Sequence, residues 1–176
     1  NKESLDYNSL TDSLQTQYTK FNRNLGLEYN LASADNQYNG KVFMLKSFGP
    51  DSTYNGFAQG AHLEYSSRKW NWRVQQEYIS EDFTSEVGFV PRNNYIKLEG
   101  SVGHLFLPNS EKVVSHGPQY TGFYYFDPSM NSTDYVSILG YTVNFMDRSS
   151  LGVDVFNEYV QLLAPFDPTN TGKEEL

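Results

Sequence analysis

The sequence predicts an all-β fold: an antiparallel up-and-down meander of about eight long strands, either a transmembrane β-barrel or a segment of a larger one. Three observations lead there. Apolar residues recur with period two, and nothing longer than a turn shows the i, i+3, i+4 spacing of a helix. The chain carries 14 Tyr and 12 Phe yet is only 38% hydrophobic, a mix that suits strands with one wet face. Connections between the alternating runs are short and long in turn, as in outer-membrane barrels with short periplasmic turns and longer outer loops.

The segments follow in order. Residues 1–20 read as a loop or flexible lead-in. "NLGLEYNLA" sets Leu25, Leu27, Tyr29 and Leu31 against Asn24, Glu28 and Asn30. Noisier alternation marks Tyr38 to Phe48 and Gly56 to Ser66. The clearest strand is "WNWRVQQEYIS", with Trp70, Trp72, Val74 and Tyr78 on one face and Asn71, Arg73, Gln75 and Glu77 on the other. "YIKLEGSVGHLF" repeats the design, Ile96, Leu98, Val102 and Phe106 opposing Lys97, Glu99 and Ser101. Val113 to Phe126, Asp134 to Met146 and Leu151 to Leu163 complete the set, and 165–176 reads as a further loop, all within one barrel segment, 1–176.

Tight turns are expected at "SADN" (Ser33 to Asn36), "SSRK" (Ser66 to Lys69), "PNSEK" (Pro108 to Lys112) and "DRSS" (Asp147 to Ser150). Longer links fall at "GPDSTYN" (Gly49 to Asn55), at "DFTSEVGFVPRNNY" (Asp82 to Tyr95) and at "DPSMNSTD" (Asp127 to Asp134). Trp70 and Trp72, just after a short turn, are placed at a periplasmic aromatic girdle, and "GFYYFDP" (Gly122 to Pro128) at the outer one. Trp70, Trp72, Leu98 and Val102 are thus the lipid-facing or girdle candidates.

The long stretch Asp82 to Tyr95 is unusually apolar for a loop tip. Gly88 can take conformations closed to other residues, Pro91 stiffens the return, and Phe83, Val87, Phe89 and Val90 can cluster so that the loop folds inward. Arg92 and Glu86 are expected to bridge to the lumen wall at Glu99 or Lys97. The loop and lumen candidates are therefore Glu86, Phe89, Pro91, Arg92, Arg73, Glu77, Lys97 and Glu99.

Composition excludes several functions. A net charge of −8 with no basic run argues against a nucleic-acid partner. Without cysteine there is no disulfide framework and no thiolate site. No apolar run reaches the roughly 20 residues of a membrane helix. The chain opens on Asn rather than Met and closes on a polar stretch, so an excerpt of a longer mature protein is expected.

The search for chemistry yields no catalytic, cofactor or metal residues. Glu77, Glu81, Asp82, Glu86 and Glu99 cluster in sequence, as glycoside hydrolysis would need, but read as the lining of a hydrated lumen or a solvated rim. His62, His104 and His116 stand in separate strands without metal-ligand spacing. Ser115 and His116 are strand neighbours and point to opposite faces, which argues against a triad. "DPTNTG" (Asp167 to Gly172) departs from the calcium-loop pattern and reads as a turn.

The stretch "EDFTSEVGFVPRNNY" resembles the central motif of a family of uncharacterised barrel proteins of Gram-negative outer membranes. In that family a carbohydrate-binding, family-nine-like domain precedes a C-terminal β-barrel. "NLGLEYNLASADNQYNGKVFMLKSFGP", "LEYSSRKWNW", "SHGP" and "FDPTN" support the likeness, spanning Asn24 to Asn170. The resemblance implies a fold and a place in the outer membrane, and no chemistry. The expected function is a channel, surface receptor or scaffold in the bilayer whose long loops meet a glycan or another outer-membrane protein. The alternatives are a soluble lipocalin-like barrel, with the apolar stripe turned inward around a small molecule, and a surface hydrolase using the acidic cluster.

Overall fold

The computed structural model describes residues 21–50, 55–85, 90 and 92–161. Glu86, Phe89 and Pro91 of the predicted loop, with Val87 and Gly88, lie outside them, as do the lead-in 1–20 and the "DPTNTG" turn. The described chain forms eight strands: β1 (Arg23–Ala32), β2 (Tyr38–Phe48), β3 (Phe57–Ser66), β4 (Trp70–Ile79), β5 (Tyr95–His104), β6 (Val113–Phe126), β7 (Ser132–Phe145) and β8 (Ser150–Val160). They lie in one sheet in sequence order, each antiparallel to the next. This is the predicted meander. The sheet is open, because β1 and β8 each have one partner strand among the described residues, so of the two forms expected, a closed barrel or a segment of a larger one, these strands do not close a barrel by themselves.

Strand parity sorts the side chains as the alternation requires. Register carries one apolar face across the whole sheet: Tyr29 opposes Val42, Val42 opposes Ala61, Leu63 opposes Val74, and Trp72 opposes Val102. It continues through Tyr120 and Leu139 to Val155. The other face carries Glu28, Lys41, His62, Arg73, Glu77, Lys97 and Glu99. The apolar face is also the bare one, with Leu27 at 78% and Val155 at 63% exposure.

The small core lies on the polar-parity face, at the long-loop end. Ala58 of β3, Ile79 of β4, Tyr95 of β5 and Phe83 from the link 80–94 are buried there, with Leu45, Val90 and Tyr125 against them. The predicted infolding is therefore present for Phe83 and Val90. Its close approach requires glycine at Gly56, whose amide donates to Asp82 O at 3.0 Å; a Cβ there would stand 2.0 Å from Phe83 N.

Loop lengths alternate less regularly than expected. The link after β5 spans 105–112 although it lies at the short-turn end, and the link after β6 spans only 127–131 at the long-loop end. Two pairings account for this. An isolated bridge between Phe106 and His116 continues the sheet past β5, and β6 and β7 extend their ladder until a tight turn closes it. In that turn Asp127 N donates to Asn131 O at 3.0 Å, and Met130 takes a left-handed φ of 66°. The turn after β7 has the same form, with Arg148 at φ 71°. Side chains brace both turns: Asn131 donates to Asp127 and Ser149 to Asp147, which holds each carboxyl below the usual aspartate value.

Candidate functional site

Two surfaces carry the features that could work: a charged and aromatic network on the polar face, and aromatic belts on the apolar face. The network begins where β4 and β5 place Glu77 opposite Lys97. Strand period two brings Tyr95 and Glu99 to the same face as Lys97. Tyr95 Oη donates to Glu77 Oε1, and Lys97 Nζ donates to Glu99 Oε2 at 2.9 Å. The Lys97 ammonium also lies over the rings of Phe123 at 5.4 Å and Tyr125 at 5.9 Å, within range of a cation–π attraction.

Arg92 closes the network from above. The sequence reading paired it with Glu99 or Lys97, but Glu99 is taken by Lys97, and the guanidinium reaches β7 instead. Nη1 contacts Asp134 Oδ2 at 2.6 Å and Nη2 donates to Thr133 Oγ1 at 3.1 Å, while Thr133 Oγ1 donates to Asp134 at 2.8 Å. The Arg92 guanidinium sits over both Tyr95 and Tyr125, at 5.9 and 5.8 Å. Asn93 holds the same segment by donating to Glu81 O and Phe83 O at 3.1 and 2.7 Å, and Asn22, ahead of β1, donates to Thr84 O at 3.1 Å. The link 80–94 is thus tied to β1 on one side and β7 on the other, across the polar face.

Arg73 lies further toward the short turns, its Nη2 donating to Gln75 Oε1 at 2.7 Å. Of the predicted lumen residues, Glu77, Arg92, Lys97 and Glu99 come together and Arg73 stands apart. Sequence reasoning missed Asp134, Thr133, Tyr95, Phe123 and Tyr125. Parity within "GFYYF" held the signal for two of them: Tyr124 and Phe126 share the apolar face, so Phe123 and Tyr125 face the charges. Each carboxylate of the network already accepts a bond from a cation or hydroxyl, so the arrangement neutralises charge rather than poising an acid and a base. Among the described residues no three His, Asp or Glu side chains converge as a metal site.

On the apolar face the rings form two belts. At the short-turn end Tyr38 meets Tyr65 at 4.8 Å between centroids, and Tyr65 stacks on Trp72 at 6.0 Å. The row runs on through Trp70, His104, Phe106, His116 and Tyr141, at 4.3, 4.4, 5.1 and 5.9 Å between successive rings. At the long-loop end Phe57 meets Tyr78 at 5.3 Å, and Tyr124, Tyr135 and Tyr159 follow at 6.2 and 5.8 Å. Between the belts lie Val42, Val74 and Val155. Trp70 and Trp72 stand in the lower belt; Val102 is the register partner of Trp72 and Leu98 that of Tyr124, so these two lie at the inner edges of the two belts.

Both belts run obliquely across the ladder in the same sense. Trp70, His104 and Tyr141 lie one pair nearer the short turns than Trp72, and Tyr124 and Tyr135 lie one pair nearer than Phe126, the register partner of Ile96 and, through it, of Tyr78. Strands tilted against the plane that the belts mark would produce this drift. One hydroxyl-bearing ring, Tyr120, interrupts the band, and Tyr124 of the upper belt partners its hydroxyl. Tyr120 and Tyr124 lean over Gly122, where a side chain would collide with both, and their hydroxyls meet at 2.7 Å, with Ser137 Oγ 2.9 Å from Tyr124.

The fold and these surfaces define an all-β protein: a single amphipathic antiparallel meander with a loop folded against its polar face. No family model matches the chain, and no curated protein and no solved structure shows significant similarity to it.

Proposed function

We propose that these strands are a stretch of the wall of a transmembrane β-barrel in the outer membrane of a Gram-negative bacterium. The apolar face meets lipid and the link 80–94 narrows the lumen. One observation carries this reading: an exposed apolar face bounded by two aromatic belts backs onto a polar face that carries the paired charges Glu28–Lys41, Arg92–Asp134 and Lys97–Glu99. A soluble protein rarely leaves so continuous an apolar surface bare, whereas a membrane barrel requires it, with girdles at both interfaces and a polar interior. The motif likeness from Asn24 to Asn170 supports the same assignment. The protein then acts as a channel or as a surface receptor or scaffold, its outer loops meeting a glycan or a partner protein.

The test uses the intact parent protein. Cells are fractionated, membranes washed with alkaline carbonate, and heated and unheated samples compared by electrophoresis. Retention in the outer membrane with a heat-dependent shift in mobility is expected. Release into the soluble fraction would overturn the reading and turn the apolar face inward around a ligand.

A further inference from the structure

We infer that the long-loop end of β1 and β2 contacts the phosphorylated saccharolipid of an outer leaflet, lipopolysaccharide, through Arg23 and Lys46. The inference rests on the reading that the apolar face meets lipid. Strand parity puts both side chains on that face: Arg23 alternates in step with Leu25, Leu27 and Tyr29, and Lys46 with Val42 and Met44. Among the described residues they are the charged side chains of this face within the eight strands. Every Asp and Glu of a strand, and every other Lys and Arg, has the opposite parity. In a chain of 21 acidic and 13 basic residues, a face that carries cations and no acid suits an anion.

Depth sets the kind of anion. Lys46 opposes Phe57 of the upper aromatic belt, and Arg23 opposes Phe48, two residues nearer the long loops. At about 3.3 Å per residue Arg23 stands about 7 Å along the strand beyond Lys46. One cation is thus level with the belt and the other just outside it, where headgroup phosphates sit. Long loops mark the outer side of such a barrel, and at the short-turn end this face carries no Lys or Arg within its strands, so the outer leaflet is the one that meets cations. Neither residue belongs to the ion pairs of the polar face. Asn22 reaches Thr84 O across the polar face, so alternation turns Phe21 and Arg23 the other way, and the guanidinium lies 5.3 Å from the centre of the Phe21 ring. Lys46 Nζ donates to Asn55 O, which steadies the ammonium and leaves two N–H groups for a ligand. The two cations act on separate phosphates, as a lipid with a phosphate on each of its two sugars provides. Phe21 and Phe48, 37% and 41% exposed, give its acyl chains an apolar rim.

The experiment is a titration of the detergent-purified parent protein, followed by native mass spectrometry. The probes are lipid A with both phosphates, its fully dephosphorylated form, and phosphatidylglycerol. Lipid A with both phosphates is expected to bind in preference to the other two. Arg23→Ala and Lys46→Ala should each weaken it about fivefold, the effect of one basic residue at a membrane surface, whereas Arg148→Ala, in a short turn, should leave it unchanged. Equal binding of the phosphorylated and dephosphorylated forms, or equal effects of Arg23→Ala and Arg148→Ala, would overturn the contact. Phosphatidylglycerol binding as well as lipid A would overturn the assignment to the saccharolipid. Each variant is checked for heat-modifiable mobility, and Arg23→Ala, at an exposed position of the edge strand, decides the matter if Lys46→Ala does not fold. A parent protein that is carbonate-extracted and not heat-modifiable overturns the barrel reading and the contact with it, whereas a membrane-retained one without preference for phosphorylated lipid A overturns the contact alone.

Discussion

Arginine placed at Val74 separates a lipid-facing band from an ordinary exposed strand. Val74 is 52% exposed on the apolar face of β4, midway between Trp70 and Tyr78. At about 3.3 Å per residue it stands about 13 Å along the strand from Trp70 and from Tyr78, and about 7 Å from Trp72, or about 10 and 5 Å in depth for strands tilted by about 40°. That is near the midplane, where a lipid-facing arginine costs about 2 to 4 kcal/mol. Leu98 is the register partner of Tyr124, at the inner edge of the upper belt, so Leu98→Arg should cost about 1 kcal/mol or less. Thr121→Arg, on the polar face of β6, should change stability by about 0.5 kcal/mol or less. Urea unfolding in phospholipid vesicles, followed by the fluorescence of Trp70 and Trp72, measures all three. Equal costs at Val74 and Thr121 would refute the lipid-facing assignment, and a Leu98 cost matching that of Val74 would refute the depth order.

Other consequences concern the infolded link and the turns. Phe83→Ala empties the small core beneath the link, where Phe83 is 4% exposed; a loss of about 3 to 4 kcal/mol and faster proteolysis within 80–94 are expected, and unchanged cleavage would show that the core does not hold the link. Arg92→Ala leaves Asp134 and the Tyr95 ring without their cation, Tyr125 keeping Lys97, and a cost of about 1 to 3 kcal/mol with little change in strand content by circular dichroism should follow. Arg148→Gly relieves the left-handed conformation at φ 71° and should stabilise by about 0.5 to 1 kcal/mol; a lower midpoint in urea would contradict that account. Gly56→Ala forces Phe83 and Asp82 away from β3 and should cost about 1 to 3 kcal/mol, with the same proteolytic signature as Phe83→Ala.

The strands and their two faces were legible in the sequence because a side-chain period of two is written into the order of residues, and a slip of one would exchange the faces. Thus Leu25, Trp72, Leu98 and Val102 could be assigned to one side, and Arg73, Glu77, Lys97 and Glu99 to the other, without coordinates. Turn chemistry located the hairpins at Asn36 and Arg148 for the same local reason. Only the tertiary structure decided what met what across strands. Arg92 pairs with Asp134, distant in sequence, because the infolded link reaches past β5 and β6 to β7. His104, Phe106 and His116 form one row because an extra bridge prolongs the ladder beyond β5. The open edges at β1 and β8 belong to that level too, since no local pattern states which strand lies beside which. Periodicity is a property of neighbouring residues, whereas register, edge and long-range pairing are settled by the free energy of the assembled sheet.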